Sequence, residues 1–401
     1  MLGRAVLTAV LIALCAPAPA GAQTIQERQW HLAALGVPTA HATTRGEGVV
    51  VAVVDSGVDA TAPDLAGALL PGAGFGSAGG TDGTRDNDGH GTAMAALIAG
   101  RGVDGGALGV APAAKVLPVS VGAEGDRFTT TSVAEGVTWA VDHGADVVNL
   151  SLTSVATLTP DLLRAVNDAL DRDVVVVAGT GNEGVLHVGA PANIKGVVAV
   201  SGTVPGGAPW TGSNIGPETV LAAPAQGVVT ALPLAKAASG YAAVDGTSAA
   251  TALVSGVAAL VRSRYPDLDA GNVVNRLVAT ATDLQAPGRD DATGFGQVDA
   301  VAALTADVPP VGHNPLAPPP ATTGATSDEP APAPNPTEPA GDGVRTGTAV
   351  LVVATTLAAA VLVSVALVVA RRNRIRRGPV PVVTEIPPPD DDFWRGAGPG
   401  R

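Results

Sequence analysis

Residues 49–60 read VVVAVVDSGVDA, an almost unbroken β-branched run that ends at Asp55. A run that is apolar on both faces is typical of a strand buried inside a parallel sheet. A carboxylate that follows it lies at the carboxyl edge of the sheet, where α/β proteins place their sites. The alternative for Asp55 alone is a carboxylate that caps a helix. The stretch therefore predicts a buried parallel strand with a polar group at its functional edge.

The same pattern recurs further along the chain. Largely apolar, β-branched runs occur at residues 146–150, 174–178 and 197–200. Helix-like patterns lie around and between these runs, at residues 92–99, 132–143, 161–171 and 249–264. Strands that alternate with helices favour an α/β sandwich with a central parallel sheet.

Composition limits the possible functions of the chain. Its 401 residues are too many for one average domain and indicate one large domain with additional segments. The net charge of −13 argues against nucleic-acid binding, which requires clustered cations that neutralise phosphates. The single cysteine, Cys15, lies in a segment that we expect to be removed, so the mature chain has neither a disulfide nor a thiol nucleophile.

Residues 1–22 have the three parts of a signal peptide. Arg4 supplies the positive start, residues 5–16 form a short apolar run, and residues 20–22 read Ala-Gly-Ala, a good cleavage site. The alternative is an uncleaved anchor helix. Cleavage gives a mature chain that starts near Gln23, with residues 23–46 as an N-terminal extension.

The C-terminal part changes character after residue 306. Residues 307–346 are rich in proline and predict an extended linker. Residues 347–370 carry no charge and span roughly 36 Å as a helix, enough to cross a bilayer. Five arginines follow within residues 371–377, and by the positive-inside rule they place the tail, residues 371–401, in the cytoplasm. The alternative is a buried core helix. We expect a single-pass protein of the cell membrane whose main domain is extracytoplasmic.

Two further segments contain chemically important residues. Residues 86–100 read DNDGHGTAMAALIAG, with His90 just before a helix, and residues 245–260 read DGTSAATALVSGVAAL, with Ser248 at a helix start. Taken singly, a histidine is usually structural and a serine before a helix is usually an N-cap. Together with Asp55 they can form a nucleophile, its general base and the group that orients the base.

With these flanks and in this order, the chain resembles the subtilisin-like serine proteases (subtilases, peptidase S8) over about residues 29–304. D-S-G, H-G-T and G-T-S-A-A match the family's three motifs, and VVVVAGTGNEG at residues 174–184 resembles its oxyanion-hole segment. The Gln29-Trp30 start, the proline-rich linker and the single C-terminal span resemble the mycosins of type VII secretion systems.

The resemblance implies a three-layer sandwich at residues 47–306 and a serine endopeptidase acting on proteins or peptides. The catalytic residues would be Asp55, His90 and Ser248, with Asn182 as an oxyanion donor. It also implies membrane subunits of a secretion machinery as partners. The family's serine motif usually continues to a proline, and Ala252 stands in its place.

Weaker sequence signals concern the binding of substrate and of a metal ion. Ser151 and Leu152 follow a buried run and could bind an extended substrate by β-augmentation, or could form an ordinary strand end. No cofactor is required by this chemistry. A structural calcium ion is possible without a readable ligand set, because aspartates in glycine-rich loops usually form turns; the candidates are Asp64, Asp86 and Asp88.

Two other functions remain open from the sequence. A structural subunit could stabilise a secretion complex with its proteolysis dispensable, a role that the anchor and linker motivate. A pseudoprotease that only binds peptides is disfavoured, because no catalytic position is lost. No motif indicates which side chain precedes the cleaved bond.

Overall fold

The structure, a computed structural model, describes residues 23–122, 128–153, 158–285 and 287–318, together with a two-residue strand at 384–385. The predicted signal peptide and the predicted membrane span at residues 347–370 lie outside the described residues, as do most of the linker and the tail. Within the described ranges no helix combines the length and the apolar character needed to cross a bilayer.

A seven-stranded parallel sheet forms the centre of the fold. Its spatial order is β2-β3-β1-β4-β5-β6-β7. The strands are β1 (Val50–Asp55), β2 (Ala73–Gly74), β3 (Lys115–Ser120), β4 (Val147–Leu150), β5 (Val175–Gly179), β6 (Val198–Thr203) and β7 (Leu221–Pro224). The four predicted strands are β1, β4, β5 and β6, whose residues are buried apart from half-buried Val50, which accounts for their continuous apolar sequences.

Helices cover both faces of this sheet. They are α1 (Trp30–Ala34), α2 (Val37–Ala40), α3 (His90–Ala99), α4 (Thr130–Asp142), α5 (Pro160–Asp171), α6 (Thr247–Arg264), α7 (Ala270–Ala279) and α8 (Ala300–Thr305). The four predicted helices are α3 to α6, and three of them begin two residues earlier than their sequence patterns. His90 and Ser248 consequently lie inside the first turns of α3 and α6 rather than before them.

Two neighbouring residues of β1 show that the fold has three layers. Gly136 of α4 lies against Val54, whereas Gly91 of α3 lies against Asp55. Successive residues of a strand point to opposite faces, so α3 and α4 pack on opposite sides of the sheet. Helix α6 packs beside α3 on the Asp55 face. The predicted three-layer α/β sandwich is therefore confirmed, and the carboxyl edge of the sheet lies at the N-termini of α3 and α6.

A β-hairpin stands beside this edge. It consists of β8 (Val228–Ala231) and β9 (Tyr241–Val244), which pair antiparallel and lead directly into α6. The third strand of this small sheet is β10 (Thr384–Glu385), which pairs antiparallel with β9. The hairpin loop, residues 232–240, extends toward the N-terminus of α3.

The segments that flank the predicted catalytic domain belong to the same folded unit. The side chain of Gln29 is buried and forms three hydrogen bonds with Leu108 and Val229. At the other end, Asn272 of α7 exchanges two hydrogen bonds with the backbone of Val311, and Asn314 donates to the Gly196 carbonyl. Residues 307–318, predicted as the start of the linker, are thus packed on the domain as a strap.

Candidate active site

Asp55, at the end of β1, is fully buried and holds the histidine. One of its oxygens, Oδ1, accepts a hydrogen bond from the Ser56 amide at 2.7 Å and another from Nδ1 of His90 at 2.7 Å. A carboxylate can only accept, so Nδ1 carries the proton and Nε2 is the nitrogen that can receive one. The arrangement fixes both the tautomer and the orientation of the imidazole.

The loop before His90 is organised around a second carboxylate, Asp86. Its Oδ1 accepts from Ser56 Oγ at 2.9 Å and from the Gly89 amide at 2.8 Å. Its Oδ2 accepts from the Thr92 amide at 2.9 Å and from Thr92 Oγ1 at 2.6 Å. Gly89, with φ of 97°, makes the left-handed turn into α3 that other residues rarely adopt. Asp86 therefore anchors the first turn of α3 and positions His90.

The charges around His90 change its proton affinity. Burial alone lowers the pKa of His90, but the charge and hydrogen bond of Asp55, with the charges of Asp88 and Asp86, outweigh burial and raise this pKa to about 9. These charges favour the protonated imidazole, whereas only the neutral form can act as a base.

Ser248 is the second residue of α6, directly after Gly246 and Thr247. Gly246 has φ of 149° and ψ of 154°, a conformation that glycine adopts without a steric penalty. Ser248 Oγ donates to the Ser151 carbonyl at 3.1 Å, and Ser151 Oγ donates to the Ser248 carbonyl at 3.0 Å. Among the described residues no hydrogen bond joins Ser248 to His90, so the serine hydroxyl must release the Ser151 carbonyl before it can donate to the imidazole.

Asn182 lies just beyond β5 and faces the N-terminus of α6. Its Oδ1 accepts from the Thr247 amide at 2.8 Å and from Thr247 Oγ1 at 2.9 Å. Two donors on the oxygen fix the orientation of the amide and leave Nδ2 as its outward donor. A Cβ placed on Gly246 would lie 3.6 Å from Nδ2 and 3.8 Å from the Ser248 amide nitrogen, so the two donors are close enough together to serve one oxyanion.

Two cavities meet at Ser248, and His90 and Asn182 line both. The first, which we call the strand-side cleft, has a volume of about 240 Å³ and contains Ser151 and Leu152 in its wall. The second, which we call the hairpin-side cavity, has a volume of about 290 Å³ and is closed by residues of the β8–β9 hairpin. None of the described residues of the N-terminal extension lines either cavity.

The two residues predicted to bind substrate lie where an extended peptide could reach them. The last ladder pair of β4 and β5 is Leu150–Ala178, so Ser151 and Leu152 continue beyond the edge of the sheet. Asn149 supports this segment, because its Nδ2 donates to Ser151 Oγ at 3.0 Å. The segment therefore extends the line of β4 along the strand-side cleft.

The aspartates considered as calcium ligands do not converge. Asp64 is buried, and its two oxygens accept from the amides of Val103 and Ala107 at 2.9 and 3.0 Å. Burial raises the pKa of Asp64, against the effect of these hydrogen bonds and of the Tyr241 hydroxyl. The described ranges contain no group of three or more acidic, histidine or cysteine side chains that could hold a metal ion.

Some residues of the site have no sequence signal of their own. Phe128 and Glu183 line the strand-side cleft, and Leu232 lines the hairpin-side cavity. Glu183 could have been found from its position next to Asn182. Leu232 could not, because the chain returns to the site there through a hairpin whose position depends on tertiary packing.

A parallel α/β sheet with a buried aspartate bonded to a histidine, and a serine at a helix N-terminus in the same cleft as that histidine, is the arrangement expected of a serine peptidase. The sequence model of the Subtilase family matches residues 46–296. The chain belongs to this family. It is 38% identical to subtilisin BL of Lederbergia lenta over 280 residues, which are 69% of this chain and 99% of the relative. It is also 38% identical to M-protease of Shouchella clausii strain KSM-K16, over 69% of this chain and 70% of that protein.

The solved structures that the chain resembles include two proteases of type VII secretion systems. The MycP3 protease from the type VII (ESX-3) secretion system matches with a TM-score of 0.60 and 32% identity, over 72% of this chain and 89% of that one. MycP1, described as an essential component of the type VII (ESX-1) secretion system, matches with a TM-score of 0.61 and 32% identity, over 71% and 90% of the two chains. The predicted likeness to mycosins is therefore confirmed.

Proposed function

We propose that this chain is an extracytoplasmic serine endopeptidase that hydrolyses peptide bonds through Asp55, His90 and Ser248. The observation that carries the proposal is the 2.7 Å hydrogen bond between Asp55 and Nδ1 of His90, with Ser248 and Asn182 in the wall of the same cleft. No cofactor takes part in this chemistry, because the three side chains supply the nucleophile, the base and the orienting group.

In the first half of the reaction, His90 Nε2 takes the proton of Ser248 Oγ while that oxygen attacks the peptide carbonyl. Asp55 stabilises the imidazolium that forms. The carbonyl oxygen becomes an oxyanion that accepts hydrogen bonds from Asn182 Nδ2 and the Ser248 amide. His90 then gives its proton to the leaving amine, and the acyl group remains on Ser248.

In the second half, water takes the place of the amine. His90 removes a proton from the water, the hydroxide attacks the acyl carbon, and the proton returns to Ser248 as the ester bond breaks. The acyl part of the substrate lies along Ser151 and Leu152, whose position beyond the sheet edge suits pairing with an extended chain.

A fluorophosphonate that labels activated serines tests the proposal. We expect the full-length chain to be labelled and Ser248→Ala to be unlabelled. Ser263→Ala is the matched control, because Ser263 lies on the same helix and donates to the Glu47 carbonyl away from the cleft. Equal labelling of Ser248→Ala and the wild type would refute the assignment of the nucleophile.

We also propose that residues 1–22 are a signal peptide that directs export and is cleaved, and that residues 347–370 form a membrane helix. This helix then holds the domain on the outer side of the cell membrane, next to membrane subunits of a type VII secretion system. The uncharged stretch and the arginines after it support the orientation. The proposed single crossing would put β10 and β9 on opposite sides of the bilayer, so it disagrees with the pairing of these two strands in the structure.

Labelling of intact cells with a membrane-impermeant maleimide shows whether residues 384–385 lie in the cytoplasm or on the same side of the membrane as the domain. Cys15 is the only cysteine of the chain, so introduced cysteines report alone once the signal peptide is removed. We expect Leu186→Cys, at a side chain that is 86% exposed, to be labelled and Thr384→Cys to be labelled only after lysis. Labelling of Thr384→Cys in intact cells would contradict the cytoplasmic tail.

A structural role in a secretion complex is the second candidate. The description of MycP1 as an essential component of its secretion system favours it, as does the strap that joins residues 307–318 to the domain. The test is complementation of a deletion strain with Ser248→Ala. Restored secretion would support dispensable proteolysis, and failure with a normally accumulated protein would show that proteolysis is needed.

A further inference from the structure

Ser255 of α6 is a fully buried polar residue that the proposed chemistry does not use. It follows Ser248 by seven residues, about two helical turns, so both side chains project from the same face of α6. Helix α6 packs on β4. Asn149 in β4 and Ser151 just beyond it are two positions apart, and alternate residues of a strand point to the same side. The helix and the strand therefore face each other with two polar side chains each.

These four residues form one continuous series of hydrogen bonds, which we call the polar bridge. Ser255 Oγ donates to Asn149 Oδ1 at 3.0 Å, and Asn149 Nδ2 donates to Ser151 Oγ at 3.0 Å. Ser151 Oγ then donates to the Ser248 carbonyl at 3.0 Å. The polar bridge thus runs from the buried middle of α6, through β4, to the backbone of the proposed nucleophile.

The direction of each hydrogen bond in the polar bridge follows from its neighbour. An amide oxygen only accepts and an amide nitrogen only donates, so the Ser255 hydroxyl on the oxygen of Asn149 turns the nitrogen toward Ser151. Because Ser151 Oγ accepts that hydrogen bond, its own proton is directed to the Ser248 carbonyl. Without the Ser255 hydroxyl, the amide can turn and its oxygen can take the Ser151 proton, since a buried acceptor left without a donor is costly.

The polar bridge holds Ser248 at the stage when its hydroxyl releases the strand. In the free protein two hydrogen bonds join Ser248 to Ser151, one in each direction. When the Ser248 hydroxyl attacks the substrate it gives up the Ser151 carbonyl, and the bond from Ser151 Oγ to the Ser248 backbone remains. That bond keeps the nucleophile aligned with Ser151 and Leu152, the segment of the strand-side cleft along which the substrate is proposed to lie.

We propose that Ser255 and Asn149 are positioning residues of the reaction, which act through Ser151 to hold the backbone of Ser248 against the substrate-binding segment. The inference rests on the proposed function and adds two residues that touch neither the substrate nor the reacting atoms. A small misplacement of a nucleophile lowers the rate of attack more than it weakens the binding of substrate. Loss of the polar bridge should therefore lower kcat and leave KM nearly unchanged.

A double-mutant cycle on the full-length chain, assayed with an extended peptide substrate, tests this coupling. We expect Ser255→Ala to lower kcat about five- to tenfold, the equivalent of one neutral hydrogen bond, with KM within about twofold of the wild type. Ser151→Ala removes the last link and should lower kcat at least as much. Among the described residues no hydrogen bond joins Ser255 directly to Ser151, so the double variant should be no slower than Ser151→Ala alone if Asn149 transmits the effect. Losses that multiply would overturn the inference.

Ser201→Ala is the matched control, because it removes another buried serine hydroxyl, which donates to the Ala292 carbonyl and lines neither cavity. It should lower the thermal midpoint, as Ser255→Ala should, but keep the wild-type kcat. Ser255→Thr keeps the hydroxyl and should restore most of the rate. Equal losses of kcat in Ser201→Ala and Ser255→Ala, or an unchanged kcat in Ser255→Ala, would overturn the inference and leave the proposed function standing. Absence of fluorophosphonate labelling in the wild type would overturn both.

Discussion

The two halves of the active site are held by different interactions. In the histidine half, the buried carboxylates of Asp55 and Asp86 accept the hydrogen bonds that hold the site together. In the serine half, hydrogen bonds between neutral amides, carbonyls and hydroxyls join Asn182 to Thr247 and Ser151 to Ser248. Hydrogen bonds to charged groups are roughly twice as strong as neutral ones. The histidine half should therefore respond to changes in charge, and the serine half to small changes in geometry.

The largest effect on activity should come from removing the charge of Asp55, at the centre of the histidine half. Asp55→Asn keeps the shape of the side chain but offers an amide to Nδ1 of His90, which favours the wrong tautomer. We expect kcat/KM to fall by about 10⁴-fold. Asp82→Asn, which removes an exposed carboxylate that accepts from Thr84, should change it little. A loss below about tenfold in Asp55→Asn would show that the carboxylate does not orient the base.

The corresponding change in the serine half removes the oxyanion donor. We expect Asn182→Ala to lower kcat by about 10²- to 10³-fold with little change in KM, the magnitude known for subtilisin when it loses one such donor. Asn167→Ala, at an exposed position of α5, is the matched control. A rise in KM with an unchanged kcat would assign Asn182 to substrate binding instead.

A smaller change tests whether geometry controls the serine half. Thr247→Val removes the hydroxyl that donates to Asn182 Oδ1 at 2.9 Å and keeps the backbone donor. The amide is then less firmly oriented, and kcat should fall by about five- to tenfold, the equivalent of one neutral hydrogen bond. Thr247→Ser keeps the hydroxyl and should restore most of the rate. Equal losses in both variants would indicate a packing effect of the threonine methyl group.

The smallest effect should appear in the pH profile. His90 acts as a base only when it is neutral, and its pKa is raised to about 9, so kcat/KM should rise with pH until about 9. Asp88→Asn removes one of the charges that raise this pKa, so the rising limb should move to lower pH. Added salt should reduce the difference, because the Asp88 side chain is exposed. A rising limb at the same pH in both proteins would contradict the electrostatic account of the histidine half.

The sequence predicted the parts of the fold whose signals are local. Runs buried on both faces identified β1, β4, β5 and β6, and short motifs placed the candidate residues at strand ends and helix starts. Strand β3 was missed because Pro118 interrupts its apolar run, and proline usually argues against a central strand. The structure accommodates it because β2 pairs with β3 only at Val119 and Ser120, beyond the proline.

The supporting contacts of the site could not be predicted in the same way. Asp86 forms the turn expected of an aspartate in a glycine-rich loop, since its Oδ1 accepts from the amides of Asp88 and Gly89. Its contacts with Ser56 and Thr92, which anchor the first turn of α3, have no local signal. Thr247 clamps Asn182 across 65 positions of sequence. Such partners are determined by tertiary packing, which local patterns do not encode. The absence of the family's proline had no visible effect on the helix, since Ala252 is buried inside a continuous α6.

The strap at residues 307–318 determines where a mechanical load enters the domain. Tension on the chain beyond Pro318 is carried first by the hydrogen bonds of Asn314 and Gly196 and then by those of Val311 and Asn272. Tension on the chain would therefore break these hydrogen bonds between the strap and the domain before it acts on α8. The strap also shortens the free tether by roughly 37 Å relative to a chain extended from residue 307, at about 3.1 Å per residue. The cleft is thereby kept within a narrower range of heights above any surface to which the chain is attached.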